Sequence, residues 1–163
     1  GHNDQPGKPG RSTDLATEFP ANLARYVDEV RAAGAIPVLV TPLTRRSFKD
    51  GKLQNDLAPW AEAARRIAAQ KKVALVDLNA TSAAAVQAMG EDAADHFAQA
   101  PKPATPIAPQ PPGATEVVEK AAARPKLSFD RTHLGREGAD YFAKMMADEL
   151  AKAVPEMRGL LIR

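Results

Sequence analysis

The chain has 163 residues, enough for one domain around one hydrophobic core. Its acids and bases nearly cancel at a net charge of +2 and only 5% of it is aromatic, so no basic stripe with interleaved aromatics points to nucleic acid. Cysteine is absent, which removes disulfides, zinc–thiolate sites and a cysteine nucleophile, and no apolar run approaches the ~20 residues that span a bilayer.

Gly1-His2-Asn3-Asp4 suits a sharp turn after a strand. With no Met and no leader before it, the expectation is that an N-terminal portion was removed or is a separate polypeptide. Residues 5–18 are rich in Pro and Gly and predict a surface loop. Pro20 to Ala33 predicts a helix, with Leu23, Val27 and Val30 at helical spacing and Gly34 as its stop. Ile36 to Thr41 is a short apolar run that predicts a buried parallel strand. A loop from Pro42 to Gly51 carries Arg45, Arg46 and Phe48.

A second helix is expected over Asp56 to Gln70, with Trp60, Ala64, Ile67 and Ala68 on one face, then a second buried strand over Val73 to Asp77. Thr81 or Ser82 is placed to cap a third helix that runs to about Met89 and stops at Gly90, before a short helical piece through His96 and Phe97. Segment 98–125 is mostly Ala and Pro and predicts a disordered or extended insertion. The last helix is expected over Leu134 to Ala153, with Ala139, Phe142, Met146 and Leu150 inward, and the apolar tail from Leu160 to Ile162 would dock on the body. Helices alternating with buried strands imply an α/β fold with a parallel sheet and helices on both faces. Ligands in such sheets bind beyond the carboxyl ends of the strands, the edge where Gly1–Asp4, Pro42–Phe48 and Asn79–Ser82 should lie.

The chemistry concentrates in Phe129-Asp130-Arg131-Thr132-His133-Leu134-Gly135. Asp130 and His133 stand three residues apart ahead of a helix. In one reading the carboxylate orients the imidazole, stabilises its charged form and leaves the second ring nitrogen free as a base. In the other, Asp130 or Thr132 only caps backbone N–H groups where the helix starts. Asn3 is either a donor to a developing oxyanion or a turn residue bonding its own backbone. His2 and Asp4 read as structural, His96 as an ordinary helix-end residue, and Asp77 as a cap for the next helix. Arg45 and Arg46 read equally as a solvated pair or as partners of a substrate carboxylate, and stay outside the expected site. The His and Asp residues lack the clustering of a metal site, and no metal or cofactor is expected.

Four blocks in order resemble the SGNH (GDSL-type) hydrolases, in particular the rhamnogalacturonan acetylesterase-like branch: Gly1–Asp4, Thr41-Pro42 with Arg45, Arg46 and Phe48 after it, Asp77-Leu78, and Asp130–His133. The resemblance implies a three-layer α/β/α sandwich, flavodoxin-like, with a five-stranded parallel sheet of which the first strands are missing from this chain, so that 1–163 is the C-terminal part of one domain. It implies ester hydrolysis by a serine, with His133 as base, Asp130 as its orienter and Asn3 in the oxyanion hole. The Gly-Asp-Ser block and a second, Gly donor have no counterpart here. Ser12, Ser47, Ser82 and Ser128 all lack that context, so the nucleophile is expected from an N-terminal segment, without which the chain would be inactive. The implied substrate is an acetylated polysaccharide or another small ester, with no nucleic-acid or membrane partner and a secreted or periplasmic location. A non-catalytic binding or structural module on the same scaffold, and a lipase- or thioesterase-type enzyme, are the alternatives.

Overall fold

A computed structural model describes residues 1–103 and 129–161. The greater part of the expected Ala/Pro insertion, Ser128, and Ile162 of the apolar tail lie outside these residues.

The first helix, α1 (Glu18–Ala32), starts two residues earlier than Pro20. Its start is organised by Asp14, whose Oδ1 accepts from the backbone N–H groups of Ala16 and Thr17, while Glu18 accepts from the Asp14 N–H. This reciprocal pairing satisfies N–H groups that a helix start leaves open. Strand β1 (Val38–Val40) follows. The expected loop after it contains a small antiparallel hairpin, β2 (Phe48–Lys49) and β3 (Lys52–Leu53), turning on Asp50 and Gly51. Both turn residues have positive φ, 50° and 73°, as a two-residue hairpin of this twist demands.

Helix α2 (Ala58–Lys71) buries Trp60, Ala61, Ala63, Ala64, Ile67 and Ala68, as its spacing predicts. Strand β4 (Ala74–Val76) pairs in parallel with β1 in the register Val38–Ala74, Leu39–Leu75, Val40–Val76. The two flanking layers are α1 with α2, which lies against both strands, and α3 (Leu78–Asp95) with α4 (Arg136–Ala153), which lies against β4. This is a mixed α/β fold with helices on both sides of a parallel sheet. Its core has two centres: Phe19, Trp60 and Ala63 between α1 and α2, and Val86, Ala94, Phe97 and Phe142 between α3 and α4.

Asp77, read as a cap for the next helix, caps α3 by accepting from the Ala80 N–H, and Thr81 and Ser82 do not. The backbone breaks at Gly90 (φ 82°), the expected stop, and the expected short helical piece follows, to Asp95. Other details differ from the sequence reading. On α4 the buried residues are Gly138, Phe142 and Ala151, and Ala139 is exposed because Gly138 takes the inward place. Ile36 and Leu160 stand out in solvent at 85% and 78% exposure, so neither joins the core, and Val40 is 42% exposed. The start of the expected insertion is held in place: Ala98 bridges to Leu134, and Lys102 pairs with Asp95.

Candidate active site

The turn 129–135 forms because one carboxylate serves three donors. Asp130 Oδ1 accepts from the backbone N–H groups of Thr132 (2.8 Å) and His133 (2.7 Å), and Oδ2 lies 3.0 Å from His133 Nδ1. Asp130 therefore both caps the turn and meets the imidazole. Gln99 donates to Oδ2 as well, at 3.1 Å. Burial works to raise the Asp130 pKa, but the N–H groups of His133 and Thr132 and the imidazole together bring it below the usual carboxylate value. A carboxylate in that state favours a proton on Nδ1, and Nε2 has no partner among the described residues. The ring is largely exposed, at 66% of its side-chain surface.

Two glycines bring the turn down onto the body. Gly135 donates to Phe97 O at 2.8 Å, and a Cβ on it would lie 2.6 Å from Ala98 O. A Cβ on Gly138 would lie 2.7 Å from Phe97 Cβ. On the other side the loop after β1 holds the turn. Arg46 N donates to Arg131 O (3.0 Å), Arg46 Nη2 to Asp130 O (3.2 Å) and His133 O (2.8 Å), and Arg45 Nε to Thr132 Oγ1 (3.2 Å). The turn thus sits beyond the carboxyl end of β1, on the edge where ligands of such sheets bind.

Arg46 corrects the sequence reading, in which a solvated role was one option: it is fully buried. Burial lowers its pKa, the charges of Asp130 and Asp95 oppose that, and Arg131 adds to the lowering. Arg131 grips the end of α3 through Asp95, with Nε–Oδ1 at 2.9 Å and Nη2–Oδ2 at 3.1 Å, and also pairs with Glu91.

The turn 1–4 reaches the same edge. Gly1 lies against Pro42, with no room for a side chain between them. Gln5 donates to Asp56, Asp56 pairs with Arg45, and Arg45 holds Thr132, so a polar chain links the two turns. The pKa of His2 lies below its ordinary value because of burial first, then the charges of Lys8, Arg45, the chain's amino terminus and His133. Asn3 is exposed, and among the described residues nothing holds its side chain. Beneath the loop, Asn79 Nδ2 donates to Pro42 O at 3.0 Å, and Thr41 Oγ1 donates to Asp77 at 2.9 Å and accepts from the Asn79 N–H at 2.8 Å. Arg65 completes the strut by pairing with Asp77 through two nitrogens.

No described serine is bonded to the His133 ring. Ser12 is exposed and bonded to Gln5 O and Lys8 O, while Ser82 is buried, bonded to Asn79 O and accepting from the Thr44 N–H. Three residues touch the turn from far along the chain: Arg45 and Arg46, which the sequence reading left outside the expected site, and Gln99, which it did not single out.

An α/β sheet with an Asp–His pair held beyond its strand ends defines the class of site. Two curated proteins of Bacillus subtilis (strain 168) are similar to the chain. The probable rhamnogalacturonan acetylesterase YesY is 36% identical over 93 residues, 56% of this chain and 43% of that protein. The rhamnogalacturonan acetylesterase RhgT is 29% identical over 149 residues, 91% of this chain and 56% of that protein. The chain spans about half the length of these curated relatives. No protein-family model matches the chain, and no solved structure matches it.

Proposed function

We propose that the chain is part of a serine ester hydrolase of the SGNH type that removes acetyl groups from a carbohydrate, of the rhamnogalacturonan or xylan kind. The observation that carries this reading is the 3.0 Å contact of Asp130 Oδ2 with His133 Nδ1, which leaves Nε2 unpartnered on an exposed ring. His133 is the base: it takes the proton of a serine hydroxyl as that oxygen attacks the acyl carbon, then returns it to the departing sugar oxygen. The acyl-enzyme is cleaved by water activated in the same way. Asp130 orients the ring and stabilises the imidazolium. Asn3, exposed and unheld, donates its amide N–H to the oxyanion. The similarity to two acetylesterases supports the acyl and sugar assignments.

In this reading the serine is supplied by a segment that carries a Gly-Asp-Ser block. A polysaccharide substrate fits a secreted or periplasmic setting.

Supplying the missing segment and assaying an aryl acetate tests the reading. Turnover that His133→Ala abolishes is the expected result, and full turnover in that variant overturns it. A second reading, a binding or structural module without catalysis, is favoured by the fact that no described serine meets His133. Labelling by a fluorophosphonate in the presence of the added segment separates the two, since only the hydrolase takes the label.

A further inference from the structure

We propose that Arg46 is a positioning residue for His133, setting the height of turn 130–133 over the end of β1 and so the direction of Nε2. The inference rests on reading His133 as a base. Three observations carry it. The guanidinium is fully buried, and its Nη2 bridges the carbonyls of Asp130 and His133, the two residues of the dyad. Together with Arg45, it means that two consecutive residues of one loop hold all four residues of the turn: Asp130 and His133 by the Arg46 side chain, Arg131 by the Arg46 N–H, and Thr132 by Arg45. Finally, Nε and Nη1 of Arg46 are buried with no partner among the described residues.

The last observation separates positioning from packing. Burying a charged group with unsatisfied donors is costly, and an apolar side chain of similar volume fills such a space at less cost. A methionine here would pack as well and bury no unsatisfied donor, but it would leave the carbonyls of Asp130 and His133 without the group that joins them. Lysine keeps the charge, yet its nitrogen rides on a flexible stem, whereas the Nη2 that bridges both carbonyls is fixed in the plane of the guanidinium. That fixed placement matters because a dyad loses catalysis through small misplacement.

The test uses Arg46→Lys and Arg46→Met in the 163-residue chain, with Leu57→Ala as a destabilised control, since Leu57 is buried at 2% exposure and makes no bond to the turn. The readout is solvent exchange of the His133 Nδ1 proton by NMR. Positioning predicts exchange at least about tenfold faster in Arg46→Lys, with far-UV circular dichroism unchanged, and unchanged exchange in Leu57→Ala. Unchanged exchange in Arg46→Lys overturns the proposal, and so does equal acceleration in Leu57→Ala. If Arg46→Met does not fold, Arg46→Lys alone decides. With the serine-bearing segment added, Arg46→Lys should lower kcat on an aryl acetate roughly 10- to 100-fold and leave KM within about twofold. A loss confined to KM counts against it. Should His133→Ala prove fully active, the esterase reading fails, while the exchange result still decides whether Arg46 sets the ring.

Discussion

Asp130 holds His133 at two points at once: Oδ1 takes its backbone N–H at 2.7 Å, and Oδ2 meets its ring at 3.0 Å. The two bonds divide what an amide in place of the carboxylate can preserve. In Asp130→Asn the side-chain oxygen still accepts from the backbone, so the turn should survive with a loss of about 1 kcal/mol. The amide N–H now faces Nδ1 and demands a lone pair there, which moves the ring proton to Nε2. Ring nitrogen NMR should show the tautomer reversed, and esterase activity with the serine-bearing segment should fall by roughly 10⁴. An unchanged tautomer would mean that the carboxylate does not control the ring.

His2 reports whether the first turn and the Asp130–His133 turn are neighbours in solution. Burial and the surrounding charges of Lys8, Arg45, the amino terminus and His133 disfavour its charged form, so it should titrate below the ordinary histidine value. A pKa depressed on folding means that the neutral ring is favoured. The associated stability is present above the ordinary value and is lost as pH falls through the folded one. Removing a cation relieves part of this, so His133→Ala should move the His2 midpoint upward, as read from its imidazole proton shifts. No movement would separate the two turns and leave Asn3 too far away to share an oxyanion with His133.

What was legible in the sequence was local. Asp130 and His133 are three residues apart, so their meeting needs only one turn, and Val73–Val76 and Val38–Val40 carry their strand character in their own composition. The Asp50-Gly51 turn was present as a signal, but strands of two residues give no alternation to read. Arg46 could not be read, because its partners lie 84 and 87 residues away and a buried arginine has the same letter as an exposed one. Of the caps that the sequence offered for α3, Asp77 serves and Thr81 and Ser82 do not, because the helix begins directly after β4. Ala139 yielded the inward place on α4 to Gly138, which only close approach to Phe97 explains.

That close approach reverses an ordinary rule. Gly to Ala inside a helix usually stabilises by up to ~1 kcal/mol. At Gly138 the new methyl would lie 2.7 Å from Phe97 Cβ and 2.8 Å from Phe97 O, and the second contact is with backbone that cannot rotate away. Gly138→Ala should therefore cost about 1–3 kcal/mol in urea unfolding as α4 lifts from Phe97. Gly159→Ala, where nothing lies within 4 Å, should be close to neutral. A stabilised Gly138→Ala would show that α4 does not sit where the turn requires it.

Arg131 stands inside the Asp130–His133 turn yet points away from it, and its charge is used on Asp95, whose side chain is only 5% exposed. Burial pushes the Asp95 pKa up, and the hydrogen bonds of Arg131 (2.9 and 3.1 Å) and Lys102 (2.8 Å) outweigh it and bring the group below the ordinary carboxylate value. For a carboxylate depressed on folding, the stability is present above the unfolded pKa and disappears as pH falls through the folded one. Arg131→Met leaves a buried carboxylate with Lys102 alone, which should cost about 3 kcal/mol near neutral pH. Burial then acts with less opposition, so the Asp95 carboxyl takes its proton at higher pH than in the parent chain. Urea unfolding between about pH 7 and pH 3 should show the parent losing stability steeply at the acid end. Arg131→Met should start lower and fall less over the same range, because the depressed titration is gone. Parallel curves would show that the pair adds nothing that depends on its charge, and that the turn is anchored by Arg46, Gly135 and Gly138 alone.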